Sequence, residues 1–227
     1  MGSVSHLFKR FHTPEVDDRA PSAHPHPQRF SRRSSGLAEF TRAISGQEGL
    51  WILDLGATSP VNINRLTGLG HKVYTEDLLA ASHDSTLMIP GEDGALVFDV
   101  KRFLTENLAH RGPQFDAVLC WDVADYLPEP LVKPVIGRIC SLTKRGGVLL
   151  AFFHTRDAGP DAPHFRYHLA GSDTLELQST SARSGSGPAF RLERVFNNRH
   201  IENLFREFAS LKFFLARDNV REVLVVR

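Results

Sequence analysis

Apolar positions change their period along the chain, and each change marks an element. Leu37, Phe40 and Ile44 fall at i, i+3 and i+7, one face of an amphipathic helix, with Gly46 and Gly49 bracketing its end. LWILDL (50–55) is a short, near-continuous apolar run, the pattern of a strand buried on both faces of a parallel sheet. Beyond a glycine-containing turn, Ile63, Leu66 and Leu69 predict a short helix that GLG (68–70) stops. HKVYTED (71–77), ALVFDV (95–100) and FDAVLCWD (115–122) supply three more strands. Pro130 opens a helix striped with Leu131, Val135, Ile139 and Leu142. Lys144 and Arg145 favour its carboxyl end, and Gly146-Gly147 terminate it. GVLLAFF (147–153) is the fifth strand, and Ile201, Leu204, Phe205 and Phe208 mark a last helix. LKFFLA (211–216) and REVLVV (221–226) follow; their short link forces an antiparallel pair, because parallel strands need a crossover.

This alternation predicts an α/β fold over residues 36–227: a doubly wound, mostly parallel seven-stranded sheet ending in an antiparallel hairpin. Residues 1–35 read differently. They are dense in Pro, His, Ser and Arg and lack any apolar period, so a disordered basic tail is expected. Its Arg32-Arg33 pair, flanked by serines, is a candidate contact for an anionic partner. His24 and His26 have no third ligand nearby, and no metal site is expected. Apolar residues are sparse again between 154 and 196. There FRYHLAG and TLELQST are expected to pair as a hairpin around Gly171-Ser172-Asp173, and SARSGSGP (181–188) reads as a flexible loop. Placed after the fifth strand, near the sheet edge where ligands bind in open α/β folds, this segment is a candidate substrate lid.

Composition narrows the function classes. At 227 residues the chain suits one core. Lys+Arg 27 against Asp+Glu 26 leaves a net charge of +1, so there is no clear nucleic-acid signature. Cys120 and Cys140 lie inside apolar runs and read as buried free thiols, with neither a disulfide scaffold nor a zinc site supported. No run approaches the roughly 20 apolar residues of a membrane span, and the amino terminus lacks a signal core. No membrane association and a cytoplasmic location are the expectations.

Several strings resemble the class I, Rossmann-like S-adenosylmethionine (SAM)-dependent methyltransferases. WILDLG resembles their first motif, GLGHKVYTEDL their second strand, and FDAVLCWDVADYLPEP with LTKRGGVLLAFF their fourth and fifth strands. The resemblance covers roughly residues 40–155, and the last 30 residues by topology alone. It implies SAM as cofactor, with Asp54 and Gly56 at the first turn. Asp77, 23 residues beyond Asp54, is the ribose-binding candidate with Glu76 as its fallback, unless the pair simply caps the next helix. Asp99 corresponds to the acid that meets adenine, with Val100 beside it; a helix cap is the alternative for Asp99. Trp121 is a candidate to pack on adenine or to serve as core.

The glycine motif departs from the family pattern. Thr58 and Pro60 stand where its second and third glycines would be. Thr58 and Ser59 are candidate donors to the methionine carboxylate at the following helix, and Pro60 suits a first-turn position. For the acceptor, Asp122, Asp125 and His154 are candidate bases and Tyr126 a candidate to orient it. The resemblance thus implies methyl transfer to a small-molecule acceptor. The degenerate glycines keep a second reading open, a catalytically inactive methyltransferase-like binding module.

Overall fold

The computed structural model describes residues 29–159, 162–180, 190–215 and 218–227. The expectations for His24, His26 and the 181–188 loop lie outside them. The elements in chain order are β1 (Arg29–Arg33), α1 (Ser35–Ile44), β2 (Trp51–Asp54), α2 (Pro60–Gly68), β3 (Lys72–Thr75) and α3 (Leu78–Ala81). Next come β4 (Met88–Pro90), β5 (Leu96–Phe98), α4 (Val100–Asn107), β6 (Phe115–Trp121), α5 (Val123–Tyr126), α6 (Glu129–Leu142) and β7 (Thr143–His154). β8 (Phe165–Leu169), β9 (Thr174–Ser179), α7 (Asn198–Leu204), β10 (Ser210–Leu215) and β11 (Val220–Val226) complete the chain.

The main sheet runs β10-β11-β7-β6-β2-β3. β3, β2, β6 and β7 are parallel, while β11 and β10 are antiparallel. Strand order reverses between β2 and β6, the switch point at which open α/β sheets bind ligands. Buried apolar layers cover both faces. Leu37, Phe40 and Ile44 of α1 pack with Ile52, Leu119, Leu150 and Phe152 on one side. Leu131, Val135 and Ile139 of α6 pack with Leu53, Val118 and Leu149 on the other.

Three expectations need correction. The sheet has six strands among the described residues, not seven, because ALVFDV does not join it. Leu96–Phe98 instead pairs antiparallel with Met88–Pro90. The turn explains this: Asp93-Gly94 is a strong hairpin signal, Gly94 has φ 79° and the Gly91 N–H donates to Ala95 O. A local hairpin satisfies the strand at once, leaving Leu96 and Val97 exposed. Second, Arg29–Arg33, assigned to the tail, is part of the folded unit. Arg29–Arg33 pairs antiparallel with β9, and β9 with β8, forming a separate three-stranded cap sheet. Three arginines in five residues hid this strand, but Arg32 meets Asp218 and Glu222, and Arg33 meets Asp173. Third, α6 stops at Leu142 and β7 starts at Thr143, so Lys144 does not cap the helix. Its ammonium pairs with Asp116 at 2.9 Å instead.

No helix among the described residues is long and apolar enough to cross a membrane. The hairpin expected around Gly171-Ser172-Asp173 is present as β8–β9. The antiparallel β10–β11 pair is present as well.

Candidate functional site

The parallel strands β2, β6 and β7 end on Asp54, Trp121 and His154, and Glu76 follows directly on β3. All lie at the carboxyl edge of the sheet. At its centre Asp54 is 2% exposed. Its Oδ1 accepts the Trp121 indole N–H at 2.6 Å, and its Oδ2 accepts the Asn62 amide at 2.9 Å. Burial pushes this carboxyl up to about 6 against the pull of those two donors.

Trp121 has φ 48°, a left-handed conformation uncommon for a bulky residue. Its indole lies on the β2–α2 turn: a Cβ built on Gly56 would stand 2.9 Å from Trp121 Cδ1. The ring also stacks on Tyr167 of β8, with centroids 5.0 Å apart and planes 7° from parallel. Tyr167 in turn donates its hydroxyl to Asp122 Oδ2 at 2.9 Å.

The cap sheet is bonded to the turn as well. Ser59 caps α2 by accepting the Asn62 N–H, and its hydroxyl meets His168 Nδ1 at 2.7 Å. Asn62 donates to Tyr167 O at 3.1 Å and accepts Leu169 N–H at 2.7 Å. Pro60 occupies the first turn of α2, as its fixed φ suits.

A second buried cluster lies beside this one. Asp125 Oδ2 accepts both the His154 backbone N–H at 2.6 Å and its ring Nδ1 at 2.9 Å. Asp125 Oδ1 is buried without a hydrogen-bond partner. Burial lifts the Asp125 carboxyl to about 6. Burial pulls the His154 imidazole down, but its hydrogen bond to Asp125 and the charges of Asp122 and Asp125 outweigh it, so it sits above its ordinary value. Tyr126 stands edge-on to both His154 and His164, with its phenol pushed up by burial. His164 bonds Thr180 through Nδ1 at 2.8 Å, and burial lowers its pKa.

The sequence candidates therefore fall into two groups. Asp54, Gly56, Trp121 and Asp122 converge at the switch point, and Asp125, Tyr126 and His154 form the adjoining cluster. The side chains of the remaining cofactor candidates have other partners or face solvent. Asp77 caps α3 by accepting Ala80 N–H, and Asp99 caps α4 by accepting Arg102 N–H, the capping alternative in each case. Val100 is the first residue of α4, and Thr58 is exposed. Glu76 is half-buried with a carboxylate oxygen 3.4 Å from His110 Nε2, and burial raises its pKa. Sequence reasoning missed Asn62, Tyr167 and His164. The hairpin pattern around Tyr167 was the available signal, but nothing in it indicated which wall it covers.

The donor set suits SAM in part, with a buried acid, a glycine turn and a helix amino end. The space does not. What remains among Gly56, Ala57, Leu79, Trp121, Asp122, His164 and Tyr167 is a cavity of about 10 Å³. That is room for about one water, whereas ligand pockets span roughly 300 Å³ or more. In this arrangement the stacked rings of Trp121 and Tyr167 occupy the space beside the Gly56 turn.

No family model matches the chain. Over 116 residues it is 30% identical to the ubiquinone biosynthesis O-methyltransferase of Cereibacter sphaeroides (strain ATCC 17029), covering 50% of this chain and 46% of that protein. It thus spans about half the length of that relative. It is 27% identical over 176 residues to the protein of the same name from Roseobacter denitrificans, covering 70% of each. Among solved structures, the 1,6-didemethyltoxoflavin-N1-methyltransferase of Burkholderia thailandensis, bound to that compound and S-adenosylhomocysteine, is 14% identical. It has a TM-score of 0.45 and covers 86% of this chain and 79% of its own. The TehB-like SAM-dependent methyltransferase of Corynebacterium glutamicum is 18% identical with a TM-score of 0.45, covering 85% and 87%. By strand order the chain has a class I methyltransferase-like fold, and in sequence it is similar to curated O-methyltransferases.

Proposed function

We propose that the chain is a SAM-dependent methyltransferase acting on a small-molecule acceptor, held here in a closed form. The observation that carries this reading is the convergence of Asp54, the Gly56 turn and the amino end of α2 at the switch point of the sheet. Likeness to the curated O-methyltransferases supports it. SAM would supply the methyl group. The chain's own contribution is to exclude water with the cap sheet and to hold His154 by Asp125. The ring's Nε2 is then left to take a proton from an acceptor hydroxyl. In this reading the cap and the Trp121 ring withdraw before cofactor enters.

A second reading is favoured by the filled space beside the Gly56 turn: a methyltransferase-fold binding module that has given up SAM. Calorimetry with SAM and its demethylated product, on the wild type and on Trp121→Ala, separates the two. Saturable binding to the wild type supports the enzyme. Binding confined to Trp121→Ala supports the module, and binding to neither overturns the enzymatic reading.

A further inference from the structure

We propose that the cavity of about 430 Å³ between the cap sheet and the edge of the main sheet is a small-molecule site. Its occupant is a neutral, planar aromatic molecule carrying one hydrogen-bonding group. Phe30, Phe165, Tyr167 and Leu177 line it from the cap, and His154 and Val220 from the main sheet. Its volume lies within the range of ordinary ligand pockets, unlike the space beside the Gly56 turn. Phe165 and Tyr167 line both spaces and form their common wall.

The class of ligand follows from the lining. Phe30 and Phe165 meet edge to face with centroids 6.3 Å apart, and with Tyr167 they offer aromatic surface suited to a flat ring. The charges at the rim are already matched within the protein. Arg32 reaches Asp218 at 2.6 Å and Glu222 at 3.0 Å, and His154 is paired with Asp125. Arg32 faces two carboxylates, His154 faces Asp125 and Asp218 faces Arg32, so the lining offers no net charge to a carboxylate, a phosphate or an amine. An ionised ligand would lose its hydration for no new partner, which disfavours it. Nδ1 of His154 is engaged, which leaves Nε2 as the polar contact at the inner end. Calling the occupant a methyl acceptor rests on the functional reading above; the site itself does not.

The test uses the full chain without SAM, titrated calorimetrically with 2-naphthol, 2-naphthoate and 2-naphthylmethylammonium. Saturable binding of 2-naphthol at least tenfold tighter than either ion is expected. Leu177→Trp and Ala158→Phe, each filling the cavity from a different wall, should abolish it while keeping a cooperative melting transition. His154→Phe should weaken it several-fold. Equal or tighter binding of an ion overturns the proposal. So does no saturation of 2-naphthol at millimolar concentration, or unchanged affinity in whichever filling variant folds. Because no methyl donor is present, failure of methyl transfer and failure of this site give separate results.

Discussion

The indole N–H of Trp121 reaches Asp54 Oδ1 over 2.6 Å, tying the last residue of β6 to the last residue of β2 across the switch point. A bond from a neutral donor to a buried carboxylate is stronger than an ordinary one. It helps offset the strain of a bulky residue at φ 48°. The same contact places the indole where Gly56 alone can tolerate it.

Gly56→Ala should therefore destabilise the wild type by about 1–3 kcal/mol, because the new Cβ meets Trp121 Cδ1 at 2.9 Å. In a Trp121→Ala background the same substitution should be close to neutral. A double-mutant cycle by urea denaturation checks this; equal costs in both backgrounds would show that the ring is elsewhere.

Stability should carry the signature of Asp54. Its folded pKa, raised from 3.8 to about 6 by burial, means that the native state binds the proton more tightly than the unfolded chain. The resulting stabilisation is fully present below the unfolded value and is lost as pH rises through about 6. It amounts to about 3 kcal/mol. Denaturation midpoints across pH 4–7 should fall less steeply in Asp54→Asn than in the wild type.

Glu222 secures the cap to the main sheet. It is 1% exposed, its Oε2 accepts the Gly36 N–H at 2.6 Å, and its Oε1 lies 3.0 Å from Arg32. Arg32→Ala leaves this carboxylate without its cation and should cost about 3 kcal/mol. Glu222→Gln in the Arg32→Ala background should recover part of the loss, since an amide oxygen still accepts from Gly36. Thermal melts of the three variants decide; no recovery would argue against a charge penalty.

Tyr167→Phe removes one oxygen and leaves buried Asp122 without its 2.9 Å donor. A loss of about 1–3 kcal/mol is expected. Amide exchange in Phe165–Ser179 should speed up more than in β6 or β7, because the affected contact holds the cap. Uniform acceleration throughout would place Tyr167 in the general core.

Much of this fold was legible locally. The runs at 50–55, 115–122 and 147–153 are buried strands whose neighbours hardly alter them, and the final antiparallel pair follows from a short link. What escaped depended on distant partners. RFSRR has no apolar alternation of its own and becomes a strand because β9 offers it a free edge. ALVFDV has the composition of a sheet strand, yet a nearby Asp-Gly turn captures it first. At the site, Asp54 and Gly56 could be found from their motif. The pairing of Asn62 with Tyr167 and Leu169 spans more than a hundred residues and has no local pattern. Asp77 and Asp99 show how a carboxylate after a strand serves capping and ligand chemistry equally well in sequence.

The pairing of Arg29–Arg33 with Thr174–Ser179 also bears on when the molecule closes during synthesis. Arg29 and Glu176 are 147 residues apart, and Gly36 and Glu222 are 186 apart. β2, β3, β6 and β7 emerge from the ribosome before β9 and β11 do, and such distant pairings form slowly. The nascent chain thus passes through a stage in which the Gly56 turn faces solvent uncovered. A molecule destined to be trapped there has its easiest access before translation ends.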